Sequence, residues 1–229
     1  MLDNKKLQWD ESYKRQENFI INPKEEVVKF LSRYVKRRTP DGNFVNLLSD
    51  NKIKGLDFGC GIGRQVILFE EYGIDGYGVD ISTEALKQAI SLSSTFGFKL
   101  QDRFTELNDT SLPFDENFFD VVVCDSVLYS MVADLSHQIV SELDRVTNGY
   151  AYFNLISSTT EGGLVGDSVV ELEHEKGTIQ SYFDVNRIKE LFKNTSFNLV
   201  QLHQVTCEDL MNGNLHSRFH VVVFNKIKG

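Results

Sequence analysis

Three glycines spaced two apart, Gly59, Gly61 and Gly63, follow the apolar run Ile53–Phe58, and a second short run ends at Asp80. This arrangement constrains the fold more than any other part of the chain. Glycine accepts a left-handed backbone and lets other groups come close, so the turn can be tight. A helix starting at the turn points free N–H groups at whatever lies there. A carboxylate ending the next strand, about twenty residues on, can accept both hydroxyls of a ribose. Strand, glycine turn, helix and strand together predict a parallel crossover unit with a nucleoside site at its carboxyl edge.

The alternation continues along the chain. Arg64 to Tyr72 reads as a helix stopped by Gly73, and Gly76 to Asp80 as a strand. Ser82 is positioned to cap a helix from Thr83 to Thr95. Arg103 to Leu107 is a third strand, and Asp120 to Cys124 is the continuous apolar type buried on both faces. Asp134 to Val146 has helical periodicity, and Tyr150 to Ile156 is a strand. After a helix from Asp184 to Asn194, Phe197–Val205 and Phe219–Lys226 are two strands with no helix between them, hence antiparallel neighbours. Ahead of this core, Asn22, Pro23 and Glu25 predict a capped helix whose inner face carries Val27, Val28, Leu31, Tyr34 and Val35. Lys36-Arg37-Arg38 reads as the solvated end of that helix, and residues 39–51 as a connection. Residues 157–182 are the longest irregular stretch, and Leu112-Pro113-Phe114 is a structural turn.

The 229 residues are 41% hydrophobic and 25% charged, ordinary for one globular α/β unit. Net charge is −9, which argues against general attraction to nucleic acid or anionic membrane. Residues 1–40 are the exception, with ten Lys/Arg against six Asp/Glu. Three scattered cysteines suit a reducing compartment, and with no apolar span or secretory start the expected location is cytoplasmic. His216 and His220 fall on a strand, four apart, which is not a helical metal pair; no metal is expected.

The glycine spacing departs from a dinucleotide fingerprint, because Arg64 occupies the place of its last glycine. Asp57, two residues before the first glycine, would repel a pyrophosphate. It suits a ligand with an ammonium group and no phosphate.

On "LDFGCGIGR" at 56–64, "GYGVDIS" at 76–82, "LNDTSLPFDENFFDVVVCDSVLYSM" at 107–131 and "RVTNGYAYFNLIS" at 145–157, the chain resembles class I S-adenosylmethionine-dependent methyltransferases. The resemblance implies a doubly wound, mostly parallel seven-stranded sheet with an antiparallel last strand and helices on both faces. It implies one domain over 1–229: a helical cap at 1–50, a cofactor-binding core at 51–157, a substrate loop at 158–183, and a helix with a strand pair at 184–229. Asp57 would hold the methionine ammonium. Gly59, Cys60, Gly61, Gly63 and Arg64 would form the turn around the methionine portion and ribose, with Cys60 as a small side chain. Asp80 would grip the ribose, Ile81 would pack on the adenine, and Asn108 or Asp109 would meet its amino group. Cys124, Asp125 and Ser126 would leave the fourth core strand beside the sulfonium.

Catalytic candidates at that mouth are Asp125 and Tyr129, the latter a wall or a catalyst. Trp9 and Tyr13 share one helical face and would cover the cofactor or anchor a docking helix. Glu161, Glu171, Glu173 and His174 are candidate substrate contacts. The turn after Cys124 lacks the proline-rich motif of enzymes that methylate DNA amino groups. A small-molecule acceptor, methylated at oxygen or nitrogen, is therefore the expected partner. An RNA- or protein-directed enzyme and a non-catalytic cofactor-binding scaffold are the rivals.

Overall fold

The computed structural model describes residues 2–17, 19–48, 51–160, 164–169 and 179–225. In chain order the elements are α1 Leu2–Lys14, α2 Glu25–Tyr34, β1 Lys36–Arg38, β2 Phe44–Asn46, β3 Lys54–Phe58, α3 Arg64–Glu71, β4 Asp75–Asp80, α4 Thr83–Thr95, β5 Phe104–Glu106 and β6 Phe119–Asp125. They continue with α5 Ala133–Val146, β7 Thr147–Ile156, β8 Gly166–Val169, β9 Ile179–Tyr182, α6 Val185–Phe192, β10 Asn198–Glu208 and β11 Leu215–Phe224.

Seven strands form one sheet in the order β10-β11-β7-β6-β3-β4-β5. The pairs among β7, β6, β3, β4 and β5 are parallel, whereas β11 runs antiparallel to both β7 and β10. The strand order reverses between β3 and β6, which opens a crevice at their carboxyl ends; open α/β sheets bind ligands there.

The sheet is buried on both faces. Val122 and Cys124 of β6 join a core with Ile139, Leu143 and Ile188 from α5 and α6. The alternate residues Val121 and Val123 face Phe30, Leu31 and Phe69 from α2 and α3. The period of two along β6 thus serves two cores, which is why its sequence reads as an unbroken apolar run.

Local signals account for several boundaries. Ser82 Oγ accepts from Ala85 N at 3.0 Å and Asp184 Oδ1 accepts from Arg187 N at 2.7 Å, so α4 and α6 begin where the sequence places their caps. The Leu112–Phe114 turn is held by Arg145, which donates to the carbonyls of Leu112 and Phe114 at 3.0 and 2.8 Å.

Three expectations are corrected. Asn22 does not cap α2: Lys24 takes the N-cap position in extended backbone without a side-chain cap, and Glu25 and Glu26 supply acidic groups to the first turn instead. Lys36-Arg37-Arg38 is a strand and not a helix end. It pairs with Phe44–Asn46, and the cations of Lys36 and Arg38 lie over the Phe44 ring at 5.7 and 5.2 Å. The 157–182 stretch contains the β8–β9 hairpin, which seats against the Leu128–Ser130 turn through Ser181 Oγ donating to Met131 O at 2.7 Å. Glu161, Glu171, Glu173 and His174 lie outside the described residues, as does Lys226 at the end of the last predicted strand. No described helix is long and apolar enough to cross a membrane.

Candidate active site

The crevice at the reversal point holds two adjoining cavities. One, of about 120 Å³, is mainly apolar and lined by Phe58, Asp80, Ile81, Leu107, Asp109 and Ile139. The other, of about 320 Å³, is the more polar of the two, with Asp57, Arg64, Gln65, Asp125, Tyr129 and Gln180 on its walls beside apolar residues such as Trp9 and Ile179. Gly59, Ser126, Trp9, Tyr13 and Lys5 border both. The first has the character of a nucleoside slot with a carboxylate at its edge. The second suits a charged group and a reacting acceptor.

The glycine turn is shaped by what stands over it. Gly59 has φ +71°, and a Cβ there would lie 2.3 Å from Val127 Cγ2. Gly61 has φ +53°, and its Cβ would lie 2.5 Å from the Tyr13 hydroxyl. Both positions therefore require glycine twice over, for conformation and for space. Gly63 differs from the sequence expectation: it borders neither cavity, and its missing side chain admits Ala89 and Phe104, which packs α3 against the sheet and α4.

Asp80 ends β4 with both oxygens engaged. Oδ2 accepts from Gly61 N at 2.8 Å and Oδ1 from Ser82 N at 2.9 Å. Burial pushes its carboxyl above the usual range, against the pull of those two N–H groups. Asp57 is fully enclosed, and burial, then the nearby charge of Asp125, push it well above the usual carboxylate range. Asp125 in turn is ion-paired with Lys24 at 2.9 Å, with Arg64 at 3.7 Å beyond it. Lys24 also donates to Ser126 Oγ. Ser126 holds φ +67°, a left-handed conformation uncommon outside glycine and concentrated at functional sites.

The roof is α1, a polar helix fastened by hydrogen bonds. Lys6 Nζ donates to Glu106 Oε1 at 2.7 Å and to the Ile81 carbonyl at 3.0 Å. Asp10 Oδ1 accepts from Ser82 Oγ at 2.7 Å and Glu84 N at 3.1 Å, at the start of α4. Gln88 Nε2 donates to the Tyr13 carbonyl at 3.1 Å, and Lys5 Nζ donates to the Ser130 carbonyl. Trp9 and Tyr13 share the inward face, with ring centroids 6.3 Å apart. Burial, then the charge of Asp80, push the Tyr13 hydroxyl upward, so it stays a neutral donor.

Tyr13, Asp57, Gly59, Cys60, Gly61, Arg64, Asp80, Ile81, Asp109, Asp125, Ser126 and Tyr129 all border the cavities. Asn108 and Asp109 are both exposed, and of the two adenine candidates only Asp109 borders the smaller cavity. Cys124 is buried beneath the site and borders neither cavity; burial pushes its thiol and that of Cys60 well up, which leaves both unreactive.

The sequence reading missed Lys5, Lys24, Gln65, Ile179 and Gln180. Only Gln65 carried a signal: it is a polar residue directly followed in its helix by four, Val66–Phe69, that are all buried and apolar.

The methyltransferase domain family matches residues 56–153, which span β3 to most of β7. The match lies in a chain whose fold is that of S-adenosylmethionine-dependent methyltransferases. Over 81 residues the chain is 38% identical to an mRNA cap guanine-N(7) methyltransferase of Schizosaccharomyces pombe, covering 32% of this chain and 22% of that protein. The chain thus spans about a fifth of the length of that curated relative. In fold it is similar to a SAM-dependent methyltransferase from Methanosarcina mazei, with TM-score 0.64, 20% identity, and coverage of 79% of this chain and 96% of the other. It is also similar to the Burkholderia thailandensis 1,6-didemethyltoxoflavin-N1-methyltransferase, a structure with bound S-adenosylhomocysteine: TM-score 0.58, 17% identity, 77% and 72% coverage.

The residues of the site fit S-adenosylmethionine. A glycine cradle, an edge carboxylate at Asp80 and an apolar slot suit the adenosine. Asp57 suits the ammonium.

That last assignment has a testable consequence. A carboxyl whose folded pKa is raised adds stability that is present below its unfolded value of about 3.9 and is lost as pH rises through the folded value. An ammonium set against Asp57 reverses this by favouring the charged form. S-Adenosylhomocysteine binding is therefore expected to release protons and to tighten as pH rises through the Asp57 titration. Calorimetry in buffers of different ionisation enthalpy measures the release; equal release by Asp57→Asn would sink the assignment.

Proposed function

We propose that this methyltransferase acts in the cytoplasm on a small-molecule nucleophile, methylating oxygen or nitrogen. The observation that carries the reading is the roofed polar cavity of about 320 Å³. With α1 across the glycine turn and β9 on the far wall, it suits a compact acceptor better than a polymer. The acidic net charge of −9 supports the same choice.

S-Adenosylmethionine, when bound, supplies an electrophilic methyl on a sulfonium with a neutral thioether as leaving group. The protein's task is mainly to hold the acceptor in line, and such alignment is worth about 7–11 kcal/mol. Asp80, Ile81 and Asp109 are proposed to hold the nucleoside. Asp125, kept in place by Lys24 and Arg64, is proposed to orient the acceptor by accepting its N–H or O–H. Tyr129 has one face covered by Arg218, 5.0 Å from the ring centroid, and is proposed as a wall whose hydroxyl can accept a hydrogen bond from the acceptor. Enclosure by Trp9 and Tyr13 excludes water from the mouth.

One observation favours an RNA acceptor instead: the partial match to an mRNA cap enzyme. Isotope-labelled S-adenosylmethionine discriminates the two. Label is expected in the low-molecular-weight fraction of a cell extract and not in capped RNA. Salt-sensitive labelling of capped RNA would overturn the small-molecule reading, and no transfer to either, despite tight binding of S-adenosylhomocysteine, would identify a non-catalytic scaffold.

A further inference from the structure

The two cavities meet where Lys5, Trp9, Tyr13, Gly59, Ser126 and Ser130 border both. A ligand that fills both cavities has its midpoint there. With an adenosine in the slot and an ammonium on Asp57, that midpoint is the sulfur and the methyl it carries. Methylating a hydroxyl or an N–H also releases a proton, and the best taker is a base whose pKa is not far from the working pH.

Most titratable groups around this junction are poor takers. Asp125 is a carboxylate held as an anion by Lys24 at 2.9 Å and Arg64 at 3.7 Å, which makes it a weak base. Asp80 accepts from two backbone N–H groups, and Asp109 from Ser111 N at 2.8 Å. Burial pushes the Tyr13 hydroxyl and the Cys60 thiol upward, so both keep their protons. On α1 and just beyond it, Lys6 pairs with Glu106 at 2.7 Å and Arg15 with Glu17 at 2.8 Å.

Lys5 differs from all of these. Its Nζ donates to the Ser130 carbonyl, and among the described residues it has no ion pair. Burial with no opposing charge beside it pushes the amine below the ordinary lysine value. An ammonium brings three donors to the site, whereas a neutral amine can donate to one carbonyl and keep a lone pair for a proton.

We infer that Lys5 is a catalytic base, held by the Ser130 carbonyl at the junction of the two cavities, where its amine takes the acceptor's proton. The role rests on the methyl-transfer reading of the site. It narrows the acceptor to one that arrives protonated, a hydroxyl or an N–H, and not a carboxylate. As the acceptor's lone pair bonds to the methyl carbon, the carbon–sulfur bond breaks and its electron pair stays on sulfur. The acceptor's proton passes to Lys5 Nζ, and the resulting ammonium returns it to water once the product has left.

Lys5→Met and Lys5→Arg separate this role from a structural one, because arginine keeps a donor for the Ser130 carbonyl but does not give up its charge. The reaction is followed as single-turnover transfer of labelled methyl from S-adenosylmethionine to whichever fraction of a cell extract takes it. Both variants are expected to bind S-adenosylhomocysteine within about threefold of wild type. Both are expected to transfer about 10²- to 10⁴-fold more slowly. Wild-type transfer is expected to rise with pH through the Lys5 titration, and both variants to lack that rise. Competitive acetylation with acetic anhydride, read by mass spectrometry, reports the amine without turnover. Lys5 is expected to reach half-labelling at lower pH than Lys14, which pairs with Glu11 at 2.7 Å on the exposed face. S-Adenosylhomocysteine is expected to shield Lys5 and not Lys14. Wild-type transfer rates in Lys5→Arg overturn the role, since the carbonyl contact would then suffice. So does a Lys5 that titrates together with Lys14. Slow transfer by Lys5→Met that recovers at higher extract concentration also overturns it, and marks an ammonium that binds an acidic acceptor. A wild-type chain that binds S-adenosylhomocysteine and labels nothing overturns the methyl-transfer reading itself, a result distinct from each of these.

Discussion

Asp80→Ala is expected to weaken S-adenosylhomocysteine binding by about 10²- to 10⁴-fold. The estimate follows from two hydroxyl hydrogen bonds to a charged acceptor, each worth about 1.5–3 kcal/mol. The same carboxylate also organises the site, since it accepts from Gly61 N and Ser82 N. Its removal orphans two buried N–H groups at about 1–3 kcal/mol each. Relief of carboxylate burial, the main cause of the raised Asp80 pKa, offsets part of this. A net loss near 2–3 kcal/mol remains, or a fall in Tm of roughly 4–10 °C. Asp80→Asn keeps one acceptor oxygen, so it is expected to recover stability more than affinity. Calorimetry below the melting temperature of each variant separates the two effects. An Asp80→Ala chain that binds S-adenosylhomocysteine within fivefold of wild type would falsify the ribose assignment.

Gly61→Ala is expected to lower the same affinity by about 10- to 100-fold through the roof. A non-glycine residue in left-handed backbone costs about 1–2 kcal/mol. The new Cβ would also stand 2.5 Å from the Tyr13 hydroxyl. A tyrosine on a loose segment would swing aside at small cost. Here α1 is fastened by Asp10 to α4 and by Lys6 to Glu106 and Ile81, so the clash is passed to the whole helix. Faster hydrogen exchange over residues 5–14 is expected to accompany the weaker binding. Tyr13→Phe in the same chain removes the hydroxyl and leaves the ring carbon Cζ as nearest neighbour at 3.4 Å, an ordinary contact. The double variant should recover the clash component but not the backbone component. If it binds no better than Gly61→Ala alone, α1 is not the element that feels the turn.

Most of the central sheet was legible because its signals are local. The unbroken apolar run of β6, the caps at Ser82 and Asp184, and the glycine turn each declare a structure within a few residues. The two small hairpins were not legible. Their three- and four-residue strands alternate too briefly to show a period, and their pairing depends on partners elsewhere in the chain. Asn22 shows the opposite failure. Its local capping signal is good, but the chain starts the helix two residues later, where Lys24 also reaches Asp125.

The site divides the same way. Asp57, Gly59, Gly61, Asp80, Asp125 and Ser126 lie at the carboxyl ends of adjacent parallel strands, and strand order alone brings them to one crevice. Gly63 carries the same motif signal but serves packing, because a motif fixes spacing and not which way each position faces.

The sequence by itself determined the parallel crossover unit, its glycine turn and the two strand-end carboxylates, since these follow from short-range sterics and hydrophobic periodicity. Only the tertiary structure decided what encloses them. Lys5 arrives on α1, Lys24 at the start of α2 and Gln180 on β9, up to 175 residues apart in the chain. Such contacts depend on which elements pack over the crevice, and no local pattern encodes that.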